Sequence, residues 1–456
     1  MKTTSTKRVR VESGGDQVVA SVGLHALGSF ADRLGLGTAL SSQFRRFDSR
    51  LLLHDRGKVL LHGALTLAGG GDNCADIEYL RSSERLFGAV PSDSTFYRTM
   101  REIDPSLLAG LKAAISSVRT QVWRRGATTT GSAPVVLDFD ATLVEIHSEN
   151  KMHTGPTYKG GFGFHPLLCF ADATGEMLSG KLRSGSAGAN NAADHLEVLD
   201  EALDALPPEI AIGHRDGDDA GLVRRELLAR ADSGGCTYNF VNGCRSRNIG
   251  FAVAAKSNKQ IYAAISFIAE DESRWRRGVK QDGTEAEWLD VAEVTDLVDL
   301  SSWPQGTRLI VRREPLHQGA QRSLFPSLEY RYWGHYTDQT GDPVTLDVEM
   351  RAHAHVENNI YRTQESGLRK FPFTNFDANC AWMLLVGMAD ALVRWFQLLV
   401  CRGDLAKALP KTLRFQLWHT PARIVRTAGT DVVRIIDDWP RANDLLDIYE
   451  RIPLVA

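Results

Sequence analysis

Several things that would announce a specialised class of protein are missing from this chain. Cysteine is scarce: six in 456 residues, at 74, 169, 236, 244, 380 and 401. None forms a CxxC pair, so neither a zinc ribbon nor a disulfide framework is indicated. Scattered thiols fit a reducing cytosol. There is no surplus of one charge, since 53 basic and 56 acidic residues leave a formal net charge of −3. A global basic field for nucleic acid is therefore lacking, although local basic patches can serve the same purpose. An uninterrupted membrane-spanning run is absent too. The longest apolar stretch, Cys380 to Cys401, carries Asp390 and Arg394 and reads as a buried amphipathic helix. The opening residues, Met1 to Gly15, hold Lys2, Lys7, Arg8 and Arg10 with no apolar segment of a secretion signal, and read as a disordered basic tail. No internal repeat is seen.

What remains is an ordinary globular composition, 43 % apolar and 24 % charged, long enough for roughly two or three domains and a large core. The most informative segment is Pro134-Val-Val-Leu-Asp-Phe-Asp-Ala-Thr142. Side chains alternate along a strand, so Val136, Asp138, Asp140 and Thr142 share one face and Leu137, Phe139 and Ala141 the other. Carboxylates in mid-strand oppose both strand propensity and burial, and so ask for a functional explanation. A second strand-like run, Leu227 to Asp232, ends the same way before Ser233-Gly234-Gly235. Two acids at the ends of buried strands suggest a metal site for phosphoryl transfer.

Helical spacing of apolar residues in Val18–Leu34 and Leu107–Val122 marks residues 17–125 as mainly helical. Asp93 to Arg98 offers a helix cap, with Arg98 and Arg101 on the helix surface. Residues 126–133 are a linker by composition. Beyond it the pattern predicts a strand over Val135–Ile146, a hairpin from Phe164–Ala171 and Met177–Leu182, and a helix over Ala192–Leu206 capped by Asn190 or Asn191. A strand at Leu227–Asp232, a helix at Thr237–Arg245 and a strand at Gly250–Ala255 follow. Three strands, helix, strand, helix, strand is an α/β arrangement with mixed strand directions. Residues 257–345 read as a β-rich insertion holding Trp275, Trp288, Trp303 and Trp333, mostly core. Helix returns near Glu349, and a long one covers Phe376–Val400.

Metal-assisted phosphoryl transfer needs hard oxygen ligands from several elements. Asp140 and Asp232 supply two, and Glu357, in His353-Ala-His355-Val-Glu357-Asn358-Asn359, is the natural third, on a helix just after the insertion. A different chemistry also fits the first segment. Asp138-Phe-Asp140-Ala-Thr142 has the DxDxT form of haloacid-dehalogenase-like phosphatases, where the first Asp is the nucleophile, and Asp216-Gly-Asp218-Asp219 could pose as their distal acidic motif. Against it, Leu143 to Ile146 continue as strand where that fold needs a loop and helix.

Longer motifs resemble the bacterial insertion-sequence DDE transposases, in the family typified by insertion sequence thirteen-eighty. The resemblance begins in His54-Asp55-Arg-Gly-Lys-Val-Leu, Ala68-Gly-Gly-Gly-Asp72, Asp76-Ile-Glu-Tyr-Leu-Arg81 and Ser92-Asp-Ser-Thr-Phe-Tyr-Arg98. It continues through Leu137-Asp-Phe-Asp-Ala-Thr-Leu143, His147-Ser148, Tyr158-Lys-Gly-Gly-Phe-Gly-Phe-His-Pro-Leu167 and Arg230-Ala-Asp-Ser-Gly-Gly-Cys-Thr237. It closes with Arg351-Ala-His-Ala-His-Val-Glu357, Gly367-Leu368, Phe371-Pro372 and Asn379-Cys-Ala-Trp382.

That resemblance implies an α/β fold: an RNase H-like mixed sheet interrupted by a β-rich insertion, with a helical N-terminal domain and a helical C-terminal region. The expected divisions are a tail over 1–16, a DNA-end-binding domain over 17–125 and a catalytic core over 134–256 and 346–402. The insertion occupies 257–345 and a C-terminal region 403–456. It further implies an acidic triad of Asp140, Asp232 and Glu357 holding two Mg²⁺ ions, replaceable by Mn²⁺, with Asp138 supporting it and Asp216–Asp219 a surface loop. The implied partners are double-stranded DNA, as terminal inverted repeats and target, and a second copy of the chain on that DNA. No membrane is involved, and the protein would sit in the bacterial cytoplasm with the nucleoid. Lys159, Arg183, Arg230, Arg351 and Arg362 are expected phosphate contacts. His147 and His165, near the first strand, are read mainly as packing or capping residues. One departure stands out: relatives place a basic residue seven positions after the Glu, and here that residue is Gln364. A second is Arg426-Thr-Ala-Gly-Thr-Asp431, where a more basic run is expected. Together these admit a decayed, catalytically silent copy that still binds DNA.

Overall fold

The computed structural model describes residues 17–47, 52–126, 133–148, 150–316 and 330–455, so the basic tail and most of the linker lie outside the described residues. After a short strand β1 (Val18–Val19), helices α1 (Val22–Arg33), α2 (Leu36–Phe47), α3 (Arg56–Ala68), α4 (Asp93–Arg101) and α5 (Pro105–Arg125) follow. Their starts are written locally. Asp55 accepts from the Lys58 amide at 3.2 Å, Ser92 from Thr95 at 3.3 Å and Asp104 from Leu107 at 2.8 Å, with Pro105 at the first helical position.

The strand expected over 135–146 is two strands. β2 (Val135–Ala141) ends as the chain leaves the large sheet, and β3 (Val144–Glu145) joins a small separate sheet with β4 (Gly155–Pro156) and β5 (Phe162–Phe164). The hairpin is β6 (Leu167–Ala171) and β7 (Met177–Lys181), turned at Gly175, which takes φ +67°. Helix α6 (Ala192–Ala205) is capped by Asn191, strand β8 covers Leu227–Ala231, helix α7 (Tyr238–Arg245) is capped by Thr237, and β9 covers Gly250–Ala254.

Residues 257–345, read as a β-rich insertion, continue the sheet. After helix α8 (Lys259–Ile268), strands β10 (Arg276–Val279), β11 (Glu285–Glu293), β12 (Arg308–Pro315) and β13 (Tyr330–Thr337) run back and forth, and β13 pairs antiparallel with β9. They prolong the same sheet to nine strands in the order β10-β11-β12-β13-β9-β8-β2-β6-β7. The physical reason is edge satisfaction: β9 would otherwise present unpaired backbone groups, and β13 caps them. Alternation within each strand was readable in the sequence; the identity of the neighbour was not.

Both faces of the sheet are covered. Leu137, Phe139, Ala229 and Ala231 join α6, α7 and α8 in one core. Leu168 and Phe170 face the opposite way, into a second core with the N-terminal helices and the long α11. On that side lie α9 (Pro343–Arg351), α10 (His355–Thr363) and α11 (Phe376–Leu399). Helix α11 is long and apolar enough to cross a membrane, but most of it is enclosed by the rest of the protein, as its interior Asp390 and Arg394 suggested.

The C-terminal region is not wholly helical. A hairpin of β14 (Ala422–Thr427) and β15 (Thr430–Ile435) precedes α12 (Ala442–Arg451), turning at Ala428-Gly429 with Arg426 and Asp431 paired across its end. Strand β1 pairs with β14, and the second core runs from Val19 to Val455 without a break. Residues 17–125 and 403–455 therefore share one interior rather than forming two independent domains.

Candidate active site

Strand register places the first two acids. Strands β2 and β8 are parallel, with Asp138 opposite Arg230 and Phe139 opposite Ala231. Continuing one step sets Asp140 beside Asp232, on neighbouring strands about 4.8 Å apart. Residues 138 and 140 share a face, so an Asp138–Arg230 row underlies an Asp140–Asp232 row. This face looks toward α10, which packs on β2 and carries Glu357 in its first turn. Asp232 and Glu357 are exposed and Asp140 half-buried, so the acids line an open edge rather than a closed cavity.

The electrostatics agree with that convergence. Burial, then the charge of Asp232 and, less strongly, that of Glu357, push the Asp140 carboxyl up to about 6, against a lowering bond from the Ala141 amide at 2.7 Å. Asp232 accepts from the Gly234 amide at 2.8 Å, which shapes the turn leaving β8. Among the described residues no three His, Cys, Asp or Glu side chains are drawn tightly enough together to grip a metal ion. In chemistry, however, the trio fits a hard divalent cation: all donors are carboxylate oxygens, and the charges of Asp232 and Glu357 both raise the Asp140 carboxyl.

Beneath the acids lies a buried polar cluster. Arg230 binds Asp138 in a fork, Nε to Oδ1 at 2.6 Å and Nη2 to Oδ2 at 2.7 Å, and both side chains are almost wholly buried. His353 Nδ1 meets Asp138 Oδ1 at 2.9 Å. Burial pushes the Asp138 carboxyl up, but the bonds and charges of Arg230 and His353 outweigh it and hold it below the usual range. Asp172, after β6, takes a second bond from Arg230 at 3.2 Å and pairs with His355 at 3.1 Å. Each acid thus has a neighbour close by in sequence (Asp138, Arg230, His353), and Asp138 bonds the other two. Sequence reasoning set Asp138 behind the ligands but missed its partner and missed Asp172. One signal was available: Asp138-x-Asp140 and Arg230-x-Asp232 have the same spacing, as in-register parallel strands require.

Comparison with known proteins adds the family. A sequence profile for transposase DDE domain group 1 matches residues 1–456. The chain belongs to this family. Among solved structures it is similar to the piggyBac transposase in a synaptic complex with hairpin DNA, at 10 % identity and a TM-score of 0.41, covering 88 % of this chain and 83 % of that one. No curated protein matches it in sequence.

For a DDE transposase the placement of basic residues matters, and here three expectations need correction. Arg183, Arg230 and Arg362 are buried. Arg183 is held by the His165 carbonyl at 2.9 Å and by Asp194, and Arg362 by Gln397 at 2.6 Å and the Ala408 carbonyl at 2.9 Å. Their guanidinium groups serve the interior and are not presented to a phosphate. Arg351 is half-buried and turned to Asp347 at 2.8 Å. Lys159 is exposed. His165 is buried against the Ala187 carbonyl, the packing role expected of it, whereas His147 is exposed. Gln364 donates to the Thr142 hydroxyl at 3.2 Å, tying the end of α10 to the chain just past Asp140. Asp216 to Asp219 lie in a largely exposed loop, as expected. Of the four tryptophans, Trp275 is buried but Trp288 is half-exposed.

Proposed function

We propose that this transposase mobilises a bacterial insertion sequence of the thirteen-eighty type from the cytoplasm, working on the nucleoid. It recognises the terminal inverted repeats, cuts at the element's ends and joins the freed ends to target DNA. The observation that carries this reading is the register that sets Asp140 beside Asp232 with the Glu357 helix laid over the same face. The strand order β7-β6-β2-β8-β9, with β9 and β8 parallel to β2 and β6 antiparallel to it, supports an RNase H-like centre.

Asp140, Asp232 and Glu357 would hold two Mg²⁺ ions, or Mn²⁺ in their place. When bound, such ions supply activation of water and stabilisation of the leaving 3′ oxygen. The chain's own residues do the rest. The Asp138–Arg230–His353 cluster fixes β2, β8 and the approach to α10 relative to one another, so the acids are held before DNA arrives. The open edge admits a duplex. On α4, Tyr97, Arg98 and Arg101 are exposed, which supports repeat recognition by the N-terminal helices. Two copies of the chain would pair the two ends.

The phosphatase reading requires Asp138 as an accessible nucleophile. That carboxylate is fully buried and both its oxygens are taken by Arg230. The test of the transposase reading uses a labelled duplex copied from the DNA flanking this coding frame, with Mg²⁺. Wild type nicks it at the repeat boundary, and Asp232→Ala binds without nicking. Nicking by Asp232→Ala would refute the site. Binding without nicking by wild type would identify a silent DNA-binding derivative.

A further inference from the structure

Beside the acids, the hairpin β4–β5 carries a tip that is left bare. The chain turns through Thr157-Tyr158-Lys159-Gly160-Gly161. Hydrogen bonds from the Thr157 amide to the Gly161 carbonyl at 2.8 Å and from the Gly160 amide to the Thr157 carbonyl at 3.0 Å close the turn. Gly160 takes φ +81°, a conformation that L side chains resist. Tyr158 is 76 % exposed, and the Lys159 ammonium stands 5.8 Å from its ring centre. Among the described residues Lys159 makes no salt bridge.

An isolated exposed aromatic is ordinary. What matters here is its position and its rigidity. The Tyr158 ring lies 6.2 Å from that of His165. The next residue, Pro166, accepts from the Thr142 amide at 3.2 Å, and Leu168 pairs with Asp140. His165 also meets the carbonyl of Ala187, whose neighbouring loop reaches the turn after Asp232: a Cβ on Gly234 would sit 3.2 Å from the Ala189 carbonyl oxygen. The tip therefore flanks the mouth of the acidic edge. Its root is fixed. Phe164 is buried edge-on to Phe371 at 5.1 Å, the Gly185 amide bonds the Gly163 carbonyl at 2.9 Å, and Lys151 holds the Phe371 and Phe373 carbonyls.

A flat aromatic with an adjacent unpaired cation is the chemistry that holds single-stranded nucleic acid, by stacking and by phosphate pairing. We propose that Tyr158 stacks on an unpaired base next to the scissile phosphate while Lys159 pairs with a neighbouring phosphate. This rests on the transposase reading above. It makes Tyr158 a contact to the DNA strand rather than a packing residue.

The test uses the full chain carrying Asp232→Asn, so that no strand is cut. The probe is a duplex of the element's terminal sequence with 2-aminopurine placed in turn at each position flanking the cut. At one position fluorescence changes on binding. The change persists with Tyr158→Phe and vanishes with Tyr158→Ala, whose melting temperature is unaltered. In the background with Asp232 intact, Tyr158→Ala weakens productive binding by about 10-fold. An identical fluorescence change with Tyr158→Ala overturns the stacking role while leaving the transposase reading intact. Failure of wild type to bind the duplex overturns both.

Discussion

Glu176 offers a direct test of how the two halves of the molecule are fastened. It is fully buried at the head of β7. It accepts from Arg119 Nε at 2.8 Å, Trp395 Nε1 at 3.0 Å and Thr174 Oγ1 at 3.1 Å, and from Trp123 Nε1. One carboxylate thus joins α5, the β6–β7 turn and α11. Glu176→Gln keeps the shape but removes the charge. Arg119, only 3 % exposed, is then left as a buried cation without a counter-ion. Breaking a buried pair in this way costs about 3–5 kcal/mol. That is a large share of the ~5–15 kcal/mol that holds a typical protein folded. Removing both charges with Arg119→Met and Glu176→Gln leaves an amide oxygen for one indole and an amide nitrogen facing the other, so part of the loss is recovered. The coupling between the two sites is then about 2 kcal/mol or more. Urea unfolding followed by tryptophan fluorescence reads this well, because Trp123 and Trp395 report from the site itself. A loss below about 1 kcal/mol for Glu176→Gln, or a double variant as weak as the sum of the singles, would refute the argument.

Two further outcomes are expected. His335 is buried on β13, and burial, against the charge of Asp347, lowers its imidazole to about 4. The unfolded chain takes up the proton first as pH falls. Stability from this group is therefore complete above the unfolded value of 6.5 and is lost as pH drops toward 4. About 2 kcal/mol is gone by pH 5, so the urea midpoint should fall between pH 7.5 and pH 5, and His335→Gln should flatten that fall. Gly23, in α1, lies against backbone: an added Cβ would stand 2.1 Å from the Leu417 carbonyl oxygen. Helix propensity favours Gly23→Ala by about 1 kcal/mol, yet the clash costs about 1–3 kcal/mol. A lowered melting temperature is expected, and an unchanged or raised one would show that the contact yields.

Legibility in the sequence followed the range of the interactions. Asp140 and Asp232 were visible because an acid ending an apolar strand violates a local rule. Asn191 was visible because caps act within three residues. The pairing of β13 with β9 was hidden, since a strand's pattern tells which faces are buried but not which edge it joins. Arg183, Arg230 and Arg362 misled for a related reason. An arginine is usually at the surface, and nothing local says that Asp194, Asp138 or Gln397 will come to meet it. The β14–β15 hairpin was missed in a stretch whose exposed face alternates Arg423, Val425, Val432 and Arg434 and lacks a strong apolar stripe. Glu176 gave no hint of burial, because three of its four donors, on Arg119, Trp123 and Trp395, are far from it in the chain.

The shared interior of the chain's two ends sets a clock. His25 on α1 bonds Tyr449 on α12 across 424 positions, and Val22 bonds the Thr420 carbonyl. At a synthesis rate of ~5–20 residues per second, α1 waits about 20–85 s for the segments that cover it. Until then the part of its apolar side that the C-terminal segments cover stays open, while α2 and α3 cover the rest. Expression that outruns chaperone supply should therefore lose this protein through its first helices. A chain cut short before residue 420 lacks the segments that complete the core of its N-terminal helices.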